Sequence, residues 1–178
     1  MRKHKCIKLF SMVLLFALVF GFIVPQTAWA APAPPATVTL TATGADTATV
    51  SWSACAGAAY YYVDISTSST FDGTWSNGYV TSPTTSKEIT GLSPGTTYYA
   101  YVAAVDASWS YSGQTRSNSA TTLPSPPATV TLSATGTTTA TVSWSACVGA
   151  AYYYIDVSTS STFDGTWSNG YVTSPTTS

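Results

Sequence analysis

Charged side chains make up only 7% of the 178 residues, and the single histidine is His4. Four of the six cations, Arg2, Lys3, Lys5 and Lys8, sit beside it at the start, which leaves Lys87 and Arg116 for the rest of the chain. The acids are Asp46, Asp64, Asp72, Glu88, Asp106, Asp156 and Asp164, so from residue 31 onward two cations against seven acids give a formal charge of −5. An acidic, lysine-poor surface repels phosphate backbones, which disfavours nucleic-acid binding. Without an imidazole after His4, the commonest general base and the commonest transition-metal ligand are missing.

The scarcity extends to other catalytic chemistry. Metal sites need clustered His, Cys or carboxylates, and these acids are scattered singly. Glycoside cleavage needs two carboxylates flanking a substrate. Asp64 and Asp72 are the nearest pair, on an outward strand position and a turn with no evident cleft, and read as solvated surface acids. Asp72-Gly73 does not extend into a calcium-loop pattern. No catalytic, cofactor-binding or metal residue is expected, and the chain does not read as an enzyme.

Cysteine is also sparse: Cys6, Cys55 and Cys147. Cys55 and Cys147 hold equivalent places in two tandem units about a domain length apart, beyond the ~7 Å limit for a bridge. Each reads as a small half-buried residue at a strand end. The alternative is a free thiol that links to another chain.

Long apolar runs occur once. Leu9 to Val24 is almost wholly apolar, follows the basic start, and gives way to Pro25 and Gln26. It falls short of the ~20 residues a bilayer span requires. Ala28-Trp29-Ala30 is the small-x-small pattern that a signal peptidase reads. Residues 1–30 are therefore expected to be a signal peptide cleaved before Ala31, which makes the protein secreted or extracellular. The membrane is a partner only through that segment before cleavage. Cys6 precedes the apolar run, which argues against a lipid anchor.

What the chain does have is a repeat. Pro34-Pro35-Ala36-Thr37-Val38 returns as Pro126-Pro127-Ala128-Thr129-Val130, a period of 92 residues that continues to Ser178. The segment from Lys87 to Ser125 has no second version. The copies differ at Thr41/Ser133, Ala45/Thr137, Asp46/Thr138, Ala56/Val148, Val63/Ile155 and Ile65/Val157. The last two are reciprocal swaps at inward positions and conserve core volume, the exchange that a packed interior tolerates best.

Strand signals dominate each copy. Val, Thr, Tyr and Ile recur in short runs punctuated by Gly, Pro, Asp-Gly and Asn-Gly. Strands are expected over Thr37–Ala42, Ala48–Trp52, Tyr60–Ser66, near Tyr79 and Val80, over Lys87–Thr90, Thr97–Val105 and roughly Ser117–Thr122. Turns are expected at Asp72-Gly73 and Asn77-Gly78 on either side of Trp75. Alternation points Tyr61, Val63 and Ile65 inward and Tyr60, Tyr62 and Asp64 outward. Seven short strands in about 90 residues imply an all-β, two-layer antiparallel sandwich.

Three features resemble the fibronectin type III family. They are the Pro34-Pro35 opening, Trp52 at the end of the second strand, and Gly91-Leu92-Ser93-Pro94-Gly95-Thr96-Thr97-Tyr98, which is similar to the family's tyrosine corner. The resemblance covers Pro34 to Pro124 fully and Pro126 to Ser178 in part, and the third strand with Ser66–Phe71 looks most like bacterial versions. It implies an immunoglobulin-like seven-stranded sandwich over residues 34–124. Trp52, Tyr61, Leu92 and Tyr98 would lie in its core, and the Tyr98 hydroxyl would tie the corner to nearby backbone. Residues 126–178 would form a partial second module holding the first four strands only.

In that family the third strand pairs with the sixth. Without the sixth, Tyr153, Ile155 and Val157 are expected to face water beside an open edge, each forfeiting about 1.5–3 kcal/mol of burial. The second copy should then not fold alone, and the natural protein is expected to continue past Ser178. A permuted module from Lys87 to Ser178 would need Leu123–Ala128 to run the length of the sandwich. Six residues reach at most ~20 Å against strands ~30 Å long.

The same resemblance makes the third and sixth strands neighbours. Tyr60, Tyr62, Tyr99 and Tyr101 would then form one outward aromatic face, able to stack on sugar rings or dock a neighbouring domain. The plainer account is that tyrosines pair well across strands on a surface with few charges. Trp75, Trp109 and Tyr111 fall in expected loops and are further candidates. The leading reading is a non-catalytic extracellular module that spaces or presents domains of a larger secreted or cell-surface protein. Its partners would be neighbouring domains of that chain. The alternatives are a module that binds polysaccharide or a cell-surface protein through the tyrosine face, and an accessory region of a polysaccharide-degrading enzyme.

Overall fold

Alternating branched or aromatic and hydroxyl side chains leave one face of each strand apolar, and two such faces must meet to escape water. The computed structural model describes residues 30–70, 76–162 and 168–178. The expected signal peptide (all but Ala30), the Asp72-Gly73 turn, Trp75 and Asp164 lie outside the described residues.

Seven strands build the first copy: β1 (Val38–Ala42), β2 (Thr47–Trp52), β3 (Tyr60–Ser66), β4 (Ser76–Thr81), β5 (Ser86–Thr90), β6 (Thr97–Val105) and β7 (Tyr111–Thr121). One sheet has the order β1-β2-β5 and the other β4-β3-β6-β7, all antiparallel. The protein is an all-β sandwich with an immunoglobulin-like arrangement. Val38, Leu40, Ala48, Val50, Trp52 and Ile89 from the first sheet meet Tyr61, Val63, Ile65, Tyr98, Ala100, Val102 and Ala104 from the second, with Leu92 beside them. Trp52 and Tyr61 hold the centre, their ring centroids 5.3 Å apart and tilted by 56°. The hydroxyl of the fully buried Tyr61 accepts the Cys55 N–H at 2.9 Å. Ser93 N–H donates to the Tyr98 hydroxyl at 3.0 Å, so each buried phenol keeps its polar end satisfied.

The sheets are also tied along an edge. The Asn118 side chain on β7 accepts from Leu40 N–H and donates to Leu40 C=O, both at 3.0 Å, in place of a strand neighbour for β1.

Three local expectations need correction. The last strand begins at Tyr111, six residues early, because irregular pairing between Tyr99 and Tyr101 and between Ala103 and Val105 lets Ser- and Gly-containing residues join it. Asn77-Gly78 is no hairpin turn: it lies inside β4, where Gly78 takes φ +78° and the pairing register shifts between Tyr62 and Asp64. Asp64 is not a solvated surface acid. It is buried, with Oδ1 accepting from Ile65 N–H at 2.9 Å, because the chain leaving β3 folds back over the outer face at this level.

The second copy contributes β8 (Val130–Ala134), β9 (Ala140–Trp144), β10 (Tyr152–Asp156) and β11 (Ser168–Thr173), paired as β8-β9 and β10-β11. Registers repeat those of β1-β2 and β3-β4, including the shift before Asp156. Burial repeats only in part: Trp144 is buried like Trp52, but Val38 and Leu40 are 8% and 2% exposed, whereas Val130 and Leu132 are 64% and 59% exposed. Identical side chains in identical register thus differ because β5, β6 and β7 cover only one set. Between the half-covered layers of the second copy lies a cavity of about 120 Å³ lined by Pro127, Val142, Trp144, Tyr153 and Ile155 among others. Tyr153 does not face water as expected. It is buried, because Trp144 covers it at 5.3 Å and its hydroxyl accepts the Cys147 N–H at 3.0 Å.

A defined joint links the copies. Leu123 N–H donates to Gly44 C=O at 3.0 Å, and Ser125 exchanges two hydrogen bonds with Val148, each 3.2 Å long. Gly95 and Gly149, both at positive φ, press backbone to backbone, and a Cβ on either would collide with the other.

Candidate functional site

β3 and β6 run antiparallel with Tyr60 opposite Val105, Tyr62 opposite Ala103, Asp64 opposite Tyr101 and Ser66 opposite Tyr99. The four expected tyrosines therefore share a face but split into two ends. At one end Tyr101 is only 4% exposed, and its hydroxyl donates to Ser68 C=O at 3.1 Å. Tyr99 is half-buried under Arg116, whose guanidinium carbon lies 5.3 Å from the ring centre while Nη1 donates to Ser69 C=O at 3.2 Å. The outward face at this end is occupied by the chain leaving β3, so the expected exposure of Tyr101 is corrected.

At the other end Tyr60 and Tyr62 join a different set of rings. The Trp109 indole stacks on Tyr60 with centroids 5.1 Å apart and planes 11° from parallel. Tyr79 meets Trp109 edge-on at 5.3 Å and Tyr62 at 5.2 Å, and Tyr111 lies 6.3 Å from Tyr62. Tyr79 belongs to β4 and Tyr111 to β7, the two edges of the sheet, yet their hydroxyls hydrogen-bond to each other. This arch joins the two edges of the sheet, and Ala103 and Val105 of β6, between those edges, are buried. The arch's hydrogen bond raises the Tyr79 hydroxyl pKa above the ordinary tyrosine value, with desolvation adding in the same direction.

The turn between β6 and β7 aims Trp109. Asp106 is buried, and its Oδ1 accepts from Ser108 N–H at 2.8 Å and Ser110 N–H at 2.9 Å. Trp109 N–H donates to Asp106 C=O at 3.1 Å, and Trp109 takes φ 64°. A left-handed backbone costs a side-chain-bearing residue about 1–2 kcal/mol, and Trp is an unusual occupant. The indole it holds up is 55% exposed.

The fibronectin type III domain profile matches residues 33–119, the span holding all seven strands of the first copy except the end of β7. Residues 33–119 are a domain of this family. The chain is similar over 51% of its length to the FN1-FN3 domains of chicken CNTN1, at 20% identity and TM-score 0.45, and covers about a third (32%) of that chain. A Fn3-like protein from Clostridium thermocellum is 30% identical with TM-score 0.41, covering 52% of this chain and 92% of that one. The fn3 domain of human collagen alpha-1(XX) chain is 22% identical with TM-score 0.48, covering 58% and 98%. No curated protein matches the chain. Fibronectin type III domains are typically non-catalytic modules of multidomain proteins and are commonly extracellular.

Within this fibronectin type III domain, Trp52, Tyr61, Leu92 and Tyr98 all lie in the core cluster. No group of three or more His, Cys, Asp or Glu is placed to hold a metal ion among the described residues, and no described helix is long and apolar enough to cross a membrane. Cys55 and Cys147 are free and half-buried. Burial pushes the Cys55 thiol above its ordinary value, opposed by its contact with the Tyr61 hydroxyl, which leaves little thiolate near neutral pH.

Sequence reasoning missed Tyr79 as a site residue and set Tyr111 in a loop. Both were reachable: Tyr79 lies two residues beyond Asn77, a distance that puts it opposite Tyr62 once Asn77-Gly78 is read as strand. Asp106 with Ser108 and Ser110 spells the Asx-type turn that presents Trp109. The second copy repeats Tyr60, Tyr62 and Tyr79 as Tyr152, Tyr154 and Tyr171, all exposed, with Tyr154 and Tyr171 at 5.1 Å.

Proposed function

We propose that this protein is a non-catalytic extracellular module that spaces or presents domains of a larger secreted or cell-surface protein. Residues 34–124 form its complete fibronectin type III domain, residues 126–178 the first four strands of a second, and residues 1–30 a signal peptide removed on export. The observation that carries this reading is the joint. A spacer must transmit orientation, and a free Gly/Ser linker does not. Here Pro124, Pro126 and Pro127 stiffen the connection, Ser125 clamps Val148 through two hydrogen bonds, and Gly95 seats against Gly149. Absence of histidine and clustered carboxylates beyond residue 30 accords with a structural role.

Cys55 and Cys147 offer matched probes of the joint, one in each copy. With the second copy completed by residues 87–125 appended after Ser178, so that both modules can fold, spin labels on the two thiols are expected to give a single narrow distance distribution by double electron–electron resonance. Replacing Pro124 and Pro126 with Gly and Gly149 with Val should broaden it. A broad distribution in that completed chain before any replacement would remove the spacer reading. Amino-terminal sequencing of the exported protein should begin at Ala31.

A further inference from the structure

We infer that the ring cluster of Tyr60, Tyr62, Tyr79, Trp109 and Tyr111 is a binding platform for a neutral polysaccharide. This goes beyond the spacer reading and does not depend on it. Four observations converge.

Large exposed aromatics are gathered in one place: Trp109, Tyr79 and Tyr111 are all exposed, and Tyr79 on its strand meets both Trp109 of the turn and Tyr111 of the far strand. Burial alone does not account for Trp109. Tyr60 already lies on the sheet, and the indole stacks above it with more than half its area in water. The backbone is held left-handed to put it there, by a turn whose geometry depends on the buried Asp106 carboxylate. Strain fixed in place by surrounding structure is a mark of a functional position.

The surroundings select the ligand. Beyond residue 30 the only cations are Lys87 and Arg116. Lys87 donates to Asn77 C=O, and Arg116 is committed to Tyr99 and Ser69 at the far end of the sheet. An anionic polymer would find no countercharge on the platform, whereas a neutral one loses nothing by docking there. The rings present apolar faces for the axial C–H bonds of a pyranose. The hydroxyls of Tyr79 and Tyr111 add groups that suit sugar hydroxyls. The arch between Tyr79 and Tyr111 fixes the rings before any ligand arrives, which lowers the ordering cost of binding.

A repeat of the tyrosines at Tyr152, Tyr154 and Tyr171 matches a ligand that is itself repetitive. Trp109 and Tyr111 are not repeated, so the first copy carries the stronger contact.

The test uses the full chain with insoluble cellulose, chitin, xylan and mannan in sedimentation assays, and the matching hexasaccharides followed by tryptophan fluorescence. Saturable binding to at least one of them is expected. Trp109→Gly should weaken it at least tenfold without lowering the melting temperature, since glycine relieves the left-handed backbone. Tyr111→Ser should weaken it too, and Tyr99→Ser, at the far end, should not. Binding to none of the four polymers, or binding that Trp109→Gly leaves unchanged, overturns the inference. So does a concentration-dependent dimer that Trp109→Gly abolishes, which would assign the platform to a second copy of this chain.

Discussion

The Tyr61 hydroxyl caps the Cys55 N–H at 2.9 Å, and the same bond recurs at 3.0 Å between Tyr153 and Cys147. In the first copy it is enclosed by a complete core; in the second the tyrosine is packed mainly on Trp144. Tyr61→Phe strands a backbone donor and should cost about 1–3 kcal/mol, read as a lower midpoint in chemical denaturation. Tyr153→Phe should leave that cooperative midpoint unchanged. Equal effects would mean that the copies are equally folded.

Asn118 ties the edge of β1 to β7 through paired bonds with Leu40 N–H and C=O. Asn118→Ala should therefore destabilise the domain by about 1 kcal/mol, and hydrogen exchange should accelerate first at Leu40. Exchange unchanged at Leu40 would show that the tie is idle.

Tyr79 sets an alkaline limit on the arch. Its hydroxyl pKa is raised in the folded chain, so its contribution is fully present below the ordinary tyrosine value, about 10. That contribution disappears as pH rises through the higher folded value. Ultraviolet titration should show Tyr79 ionising above the ordinary tyrosine range, and Tyr111→Phe should bring it back toward that range.

Limited proteolysis should leave a core near residues 34–125. Val130, Leu132 and Tyr171 are 64%, 59% and 76% exposed, and β8–β9 and β10–β11 are isolated two-stranded pairs, which are marginal in water. Mass spectrometry of the resistant fragment checks this, and equal protection of both copies would contradict it.

The strand alternation that sorts Tyr61, Val63 and Ile65 from Tyr60 and Tyr62 was readable because side-chain direction has period two and the first copy buries one face. Tyr101 and Asp64 obeyed the same alternation yet ended buried, because the chain after β3 returns over the outer face, a tertiary event with no local signature. The aromatic platform was half legible for a related reason. Tyr60 and Tyr62 share a strand, but Tyr79, Trp109 and Tyr111 reach them only through a bulged β4, a left-handed turn and a β7 that starts early.

The near-identity of the copies has a consequence for assembly. β10 carries the side chains of the start of β3 with one methylene added at Ile155, so β6 meets two almost equivalent mates in a single chain. The folded protein chooses β3. Energy per contact cannot make that choice, since the rivals offer nearly the same surface; order of emergence from the ribosome and the short reach of the proline joint can. A chain refolded from denaturant loses the first of these guides, and should pass through mispaired species that newly made chains avoid.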